Sequence, residues 1–298
     1  LKTYQIVNTF RYETKQTRSF IRVREIHFFE AHTAHVDEDC ASRQIDEDLE
    51  IVSRLMSNMS LPVIISKRPV WDTFPGAWYT IAIDVIMPNG RTLQVASCHH
   101  YKDQWAKAFD ITYQNEAGDT QYCHQTTYGM SERLLGAVVG MHGDDNGLIF
   151  PPAIAPIQVV IMPVAQHKSP DVAIAVESVA ESLRNAGIRI KIDDRDLRPG
   201  QKYWDWEIKG VPLRLEIGPR DVEGGNALAA RRTGGKEPVP LDSIVSSVRS
   251  QLDTVHNELA ERSQSHANSC VNRLSSLDQE IIDGQIYEVA FDGSDSDA

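Results

Sequence analysis

The feature that most limits how this chain can fold is a change of rhythm near Pro151. Before it, short apolar runs are divided by turn signals; after it, strand-like and helix-like runs alternate. Strands joined by tight turns make an antiparallel sheet, and strands alternating with helices make layers of helix on sheet. The sequence therefore predicts an α/β protein in parts. Residues 1–152 form an antiparallel sheet with flanking helices, 153–262 a three-layer α/β domain, and 263–298 the start of a C-terminal extension. Pro151, Pro152 and Pro156 read as the linker.

In the first part, residues 4–12 and 20–29 read as strands around a polar tip at 14–19. Residues 37–59 read as a helix, because Ile45, Leu49, Val52, Met56 and Met59 share one face and the first turn is acidic. Strands are predicted at 63–66, 77–87, 91–97, 108–114 and 122–127, followed by a buried helix at 131–142. The second part reads as strand 157–164, helix 171–186, strand 188–192, a helical segment at 199–209, strands 211–217 and 227–231, and a last helix. That final helix carries the stripe Val245, Val248, Leu252, Val255 and Leu259. Gly218-Pro219-Arg220 and Gly224-Gly225-Asn226 read as turns.

Charge supplies the second clue. The chain carries a formal net charge of −12, yet residues 11–24 hold five bases against one acid. Arginines interleaved with Phe10, Tyr12 and Phe20 suit a polyanion with an aromatic ring, a nucleotide triphosphate above all. A solvated hairpin of alternating charges fits the same pattern. Seven acids and no base lie in residues 277–298, so over half of the net charge sits there and the remaining body can still carry a basic face. Arg133 opens an apolar helix, where a guanidinium needs an anion; a salt bridge to Glu132 or Asp144 would serve as well as a ligand.

Other signals are weaker. His27, His32, His35, His99 and His100 suggest a metal, but adjacent residues on a strand point to opposite faces, so His99 and His100 cannot share a site. Four cysteines without a CxxC pair suit reduced thiols and give little support to zinc. Gly234-Gly235-Lys236 lacks the upstream glycine of a Walker loop. No apolar run spans a bilayer and no leader is visible, so a cytoplasmic protein with no membrane partner is expected. Leu1 opens directly on strand sequence, so an upstream segment is expected to be missing.

Four segments, in order, carry a resemblance. FRYE with FIRVREIHFFEAH is similar to motif 2 of the class II aminoacyl-tRNA synthetases, and GMSERLLGAVVGMHGDDNGLIFPP to their motif 3. SKRPVWDTFPGAWYTIAIDVIMPNGRTLQVASCHH resembles a proline-pocket region, and KIDDRDLRPGQKYWDWEIKGVPLRLEIGPRD an anticodon-binding domain. Together they resemble prolyl-tRNA synthetase of the archaeal and eukaryote-like type, over nearly the whole chain. The resemblance implies ATP-dependent attachment of L-proline to tRNA(Pro) through prolyl-adenylate, with ATP and magnesium required.

It also implies residue roles. Arg11 would clamp the α-phosphate and the proline carboxylate, Glu13 would approach the adenine, and Arg22 with Val23 would line the nucleotide. Arg133 would hold the γ-phosphate end, Gln94 would stand at a magnesium-associated position, and Ser97 and Ser131 would contact the nucleotide. Phe28, Glu30, Phe74 and His99 would wall the proline pocket. Arg195, Arg198, Lys202 and Trp204 combine charge with a stacking ring and are the candidate anticodon contacts; Trp204 would equally serve as surface packing. Motif 1, which builds the family's dimer interface, is absent, so the homodimer belongs to the full-length protein and this fragment alone is expected to be inactive. The stretch between motifs 2 and 3 is too short for an editing insertion. Cys270 is the one cysteine in the extension, so zinc there is not expected. A non-catalytic relative that binds RNA is the alternative.

Overall fold

The structure, a computed structural model, describes residues 1–165, 169–275, 281–282 and 285–290. Most of the acidic C-terminal run, including the low-complexity residues 292–298, lies outside them. The chain divides into two units. One joins Leu1–Ser57, Leu61–Gly140 and the described residues from His266 on; the other joins Asn58–Ser60 to Met141–Ser265. Among the described residues no helix is long and apolar enough to cross a membrane.

The first unit is built on a six-stranded antiparallel sheet. Its strands are β1 (Lys2–Phe10), β2 (Glu25–His35), β3 (Ile64–Lys67), β4 (Tyr79–Ile86), β5 (Thr92–Lys102) and β8 (His124–Ser131), in the order β1-β2-β8-β5-β4-β3. Helix α1 (Glu38–Asn58) lies between β2 and β3 in the chain. Asp37 caps it by accepting the Cys40 N–H at 2.6 Å. The helix buries Ala41, Ile45, Val52 and Met56, a stripe worth roughly 1.5–3 kcal/mol for each large side chain removed from water. Two short strands, β6 (Thr112–Gln114) and β7 (Thr120–Tyr122), form a separate hairpin.

Two local readings change. Residues 20–29 are not one strand: Phe20 takes a left-handed backbone (φ 62°) inside a turn closed by reciprocal Arg18–Arg22 hydrogen bonds of 2.8 Å, and β2 starts only at Glu25. Residues 108–114 are not one strand either. Helix α2 (Gln104–Phe109) stops at Asp110, whose φ of 54° ends the helical run before β6. Its Trp105 lies against Gly76, where a Cβ would come within 2.7 Å of the indole. Helix α3 (Arg133–His142) begins two residues after the predicted start, because Ser131 still belongs to β8.

The second unit has a five-stranded sheet. Its strands are β9 (Val159–Pro163), β10 (Ile190–Ile192), β11 (Leu213–Ile217), β12 (Asn226–Arg231) and β13 (Lys236–Pro240), in the order β10-β9-β11-β12-β13. Strand β9 runs parallel to both neighbours, and the last two pairings are antiparallel. Alternation sorts β9 between two cores. Val159 and Ile161 pack with Val172, Val176, Val179 and Leu183 of α4 (Pro170–Asn185) and with Val248 and Leu252 of α7 (Ile244–Cys270). Val160 and Met162 pack with Trp206 of α5 (Pro199–Ile208). Helix on sheet on helix is the result. Strand β13 and the short α6 (Pro219–Glu223), which replaces a predicted turn, complete this unit. In the extension, β14 (Val271–Leu274) pairs in parallel with β15 (Ile286–Val289).

Candidate active site

The basic stretch is a loop folded onto the start of α3. Arg11 N–H donates to the Arg24 carbonyl at 2.9 Å, which closes the loop at the end of β1. At its tip Ile21 meets α3, and Gly136 permits the approach: a Cβ there would lie 2.7 Å from Ile21 Cδ1. Arg133 Nε donates to the Ile21 carbonyl at 2.8 Å and Nη1 to the Gln94 carbonyl at 3.4 Å. Three guanidiniums, those of Arg11, Arg22 and Arg133, thereby line one cleft.

The electrostatics of that cleft call for an anion. Burial, and then the charges of Arg11 and Arg22, push the Arg133 guanidinium below its ordinary value. Among the described residues no carboxylate lies within ion-pair distance of Arg133. The Asp144 carboxylate is taken by Arg232, at 2.5 and 2.9 Å. Neither of the salt bridges expected from sequence forms. Glu13 accepts from Arg22 Nε at 3.0 Å, and its carboxyl is held below the usual range, first by the Lys15 backbone N–H. Val23 lines the same cleft.

The adjoining pocket, of about 370 Å³, lies over the middle of the six-stranded sheet. Phe28 and Glu30 enter it from β2, Gly129 and Ser131 from β8, and Ser97, His99 and Tyr101 from β5, each set separated by two because strand residues alternate. Phe74 reaches in from the loop before β4 and packs on His99, with ring centroids 4.8 Å apart. Arg11, Gln94 and Arg133 line its other end. The pocket therefore combines the rings of Phe28, Phe74 and Tyr101 with the cations of Arg11 and Arg133 and the Arg68–Asp72 pair. His99 is held from both sides, by Thr80 Oγ1 at 2.9 Å on Nδ1 and Ser97 Oγ at 3.1 Å on Nε2. Burial pushes its ring down to about 4, so it is neutral at physiological pH. Glu30 pairs with His32 at 2.9 Å. His100 points to the opposite face and is fully buried.

Gln94 faces the pocket, and Glu132 Oε2 is a buried acid oxygen without a hydrogen-bond partner among the described residues. These oxygen donors fit a hard cation that also binds phosphate oxygens. Among the described residues no group of three His, Cys, Asp or Glu side chains could hold a metal by itself.

The four candidate RNA contacts of the second unit separate. Lys202 is buried and donates Nζ to the Asp193 carbonyl at 3.0 Å. Arg195 is engaged by Asp193 at 2.7 Å and Asp205 at 2.8 Å, which raises it above its ordinary value. Arg198 and Trp204, the latter 61% exposed, remain at the surface. A different cleft, of about 360 Å³, carries the basic and aromatic chemistry. In it Arg214 lies 4.0 Å over the Tyr203 ring, Glu216 accepts from Tyr203 Oη at 2.7 Å and from Arg214 Nε at 3.0 Å, and Lys236 stands half exposed. Burial, chiefly, raises the Tyr203 hydroxyl to about 12.

Sequence reasoning missed Thr80, Gly129, Glu132 and this second cleft. Alternation places Arg214 and Glu216 on one face of their strand, but no local signal brings Tyr203 from a helix to meet them. Gly129 is open to the same reason: its lack of a side chain matters only because the Phe28 ring occupies the space, with Cζ 2.8 Å from where a Cβ would be.

Residues 1–142 match the tRNA synthetase class II core domain of the G, H, P, S and T group, and residues 158–251 an anticodon binding domain. Among curated proteins, the chain is 55% identical to the proline--tRNA ligase of Thermococcus kodakarensis and 51% identical to that of Pyrococcus abyssi. Each alignment covers 93% of this chain and 58% of the relative, so the chain spans less than two thirds of their length. A solved prolyl-tRNA synthetase from Giardia lamblia, in complex with prolyl-adenylate, superposes with a TM-score of 0.88 at 35% identity. The alignment covers 93% of this chain and 60% of that one. The enzyme from Cryptosporidium parvum, complexed with L-proline and AMP, gives 0.85 at 32% identity, covering 93% and 61%. The chain thus carries a class II tRNA synthetase core domain followed by an anticodon binding domain, and over the aligned part it is similar to prolyl-tRNA synthetases.

Proposed function

We propose that this chain supplies the nucleotide cleft, the proline pocket and the anticodon-binding unit of a proline--tRNA ligase. In this reading residues 1–152 belong to catalysis, 153–262 to the anticodon, and 263–298 to an extension. The observation that carries it is Arg133, a half-buried guanidinium held by two carbonyls and without an ion-pair contact among the described residues, on which the charges of Arg11 and Arg22 outweigh that of Glu132. A triphosphate would satisfy all three cations.

The chemistry follows from that placement. One proline carboxylate oxygen attacks the α-phosphorus of ATP, the bond to the β-phosphate oxygen breaks, and pyrophosphate leaves with prolyl-adenylate remaining. A terminal ribose hydroxyl of tRNA(Pro) then attacks the acyl carbon, the bond from that carbon to the AMP phosphate oxygen breaks, and the leaving AMP phosphate takes up the hydroxyl proton. Arg11 lines both cavities, so it can span carboxylate and α-phosphate while their negative charges approach. Arg22 and Arg133 spread charge on the phosphates, and fixed cations of this kind lower the barrier without acid–base chemistry. Gln94 and Glu132 would hold magnesium, which would further neutralise the phosphates. Ser131 lies between nucleotide and amino acid, and Phe28, Phe74 and neutral His99 enclose the pyrrolidine ring. Glu30 supplies the negative charge that suits its ammonium.

For the RNA, the Tyr203, Arg214 and Lys236 cleft offers a stacking ring and two cations, with Arg198 and Trp204 as further surface contacts. A homodimer of the full-length protein is supported by β1, a sheet edge whose Tyr4, Ile6 and Phe10 are exposed. An RNA-binding relative without catalysis would have no use for the arginine clamp.

Proline-dependent exchange of pyrophosphate into ATP, measured on the full-length protein, tests this reading. Arg11→Ala is expected to lower the rate by about 100-fold or more while leaving the fold intact. Near-normal exchange in that variant refutes it.

A further inference from the structure

The polar floor of the pocket is a chain of hydrogen bonds whose direction can be worked out. Thr80 and His99 stand directly opposite each other on β4 and β5. Thr80 Oγ1 is 2.9 Å from the Phe74 backbone nitrogen and 2.9 Å from His99 Nδ1, and the residue is only 3% exposed. A peptide N–H can only donate, so Phe74 occupies a lone pair of the threonine oxygen. The threonine hydrogen then needs an acceptor, and His99 Nδ1 stands at the right distance; a buried hydroxyl hydrogen left unpaired is costly. A ring that accepts on Nδ1 carries its proton on Nε2 when neutral. Nε2–H must donate to Ser97 Oγ at 3.1 Å, so the Ser97 hydroxyl is left to turn its own hydrogen toward the pocket it lines.

We propose that Thr80 is a positioning residue that sets the direction of this chain, so that Ser97 meets the ligand as a hydrogen-bond donor matched to an acyl or carboxylate oxygen. The ligand assignment rests on the proline reading above, in which that oxygen is the carboxylate of proline or the carbonyl of prolyl-adenylate. The same Thr80 oxygen fastens the backbone of Phe74. One hydroxyl thus ties the aromatic wall of the pocket to its polar floor, and a change at position 80 reaches the ligand through two neighbours without Thr80 touching the reacting atoms. A neutral His99 is required for the relay, since an imidazolium would donate from both nitrogens, and the buried ring is neutral.

The test uses full-length protein labelled with ¹⁵N-histidine and a non-hydrolysable sulfamoyl analogue of prolyl-adenylate. In wild type, long-range nitrogen–proton correlation is expected to show His99 protonated on Nε2. Thr80→Val should shift the ring toward the Nδ1–H form and weaken analogue binding about tenfold, and Thr80→Ser should restore both the tautomer and most of the affinity. A wild-type ring protonated on Nδ1 overturns the proposal, and that measurement needs no variant to fold. Unchanged affinity in Thr80→Val, with the tautomer shifted, overturns the link from Thr80 to the ligand. A wild type that shows Nε2–H but binds no analogue refutes the proline reading instead, and with it the ligand named for Ser97.

Discussion

Replacing Asp48 by asparagine is expected to stabilise the first unit, against the usual direction for a buried substitution. Asp48 sits on the buried stripe of α1, 4% exposed, and accepts a hydrogen bond from Gln44 Nε2 at 2.9 Å. Gln44 Oε1, also buried, has no donor among the described residues. A protonated carboxyl, or an asparagine amide, would offer it one. Burial is the main cause that raises the Asp48 carboxyl from 3.8 to about 6. At about 1.4 kcal/mol per pH unit, that displacement corresponds to a ceiling of roughly 3 kcal/mol. The sign follows from proton counts. Between pH 3.8 and 6 the unfolded chain has lost its proton while the folded chain keeps it, so wild-type stability falls as pH rises, and the full penalty is present above about 6. The asparagine of Asp48→Asn cannot ionise, so the variant's advantage should approach about 3 kcal/mol at pH 8, be roughly half of that at pH 5, and vanish below about pH 4. Native-state amide exchange at the buried residues of β4 reads this unit separately. An advantage that stays constant from pH 8 to pH 5, or a variant less stable at pH 8, would show that Asp48 is not a strained carboxylate.

Gly129→Ala should drive the Phe28 ring into the pocket proposed to take proline, because the new Cβ would lie 2.8 Å from Phe28 Cζ. Overpacking of about 1–3 kcal/mol corresponds to a rise of roughly 5- to 150-fold in the KM for proline in pyrophosphate exchange by the full-length protein; an unchanged proline KM refutes the placement of Phe28. In the second unit, Asp193→Asn should cost about 2–3 kcal/mol at pH 7. The wild-type carboxyl is held down to about 2, first by Arg195 and further by the Trp206 Nε1–H at 2.7 Å. Its contribution is present above 3.8 and lost as pH falls through about 2, so the difference between variant and wild type in urea unfolding should shrink across that window. A difference unchanged from pH 7 to pH 2 sinks the ion-pair explanation.

The sequence by itself determined most of the long elements and their order, while α2, α6 and β13 were not legible in it. Ile45, Val52 and Met56 revealed α1, the alternation of Leu213, Leu215 and Ile217 revealed β11, and the charge inversion at 11–24 marked the loop whose Arg11 and Arg22 line a cleft, because periodicity and charge belong to contiguous segments. Resemblance added roles for Arg133 and His99, which depend on residues far away in the chain. Only the tertiary structure decided what those residues meet. The left-handed turn at Phe20 folds the loop so that Ile21 receives Arg133, and the register of β4 on β5, interrupted by a bulge between Ile83 and Asp84, sets Thr80 opposite His99. The same holds for losses. Lys202 looked like a surface base beside Trp204, but a helix turns neighbouring positions to different faces, and the carbonyl of Asp193 draws its ammonium inward. Pairing register, helix rotation and burial arise from contacts between segments distant in sequence, and no single segment encodes them.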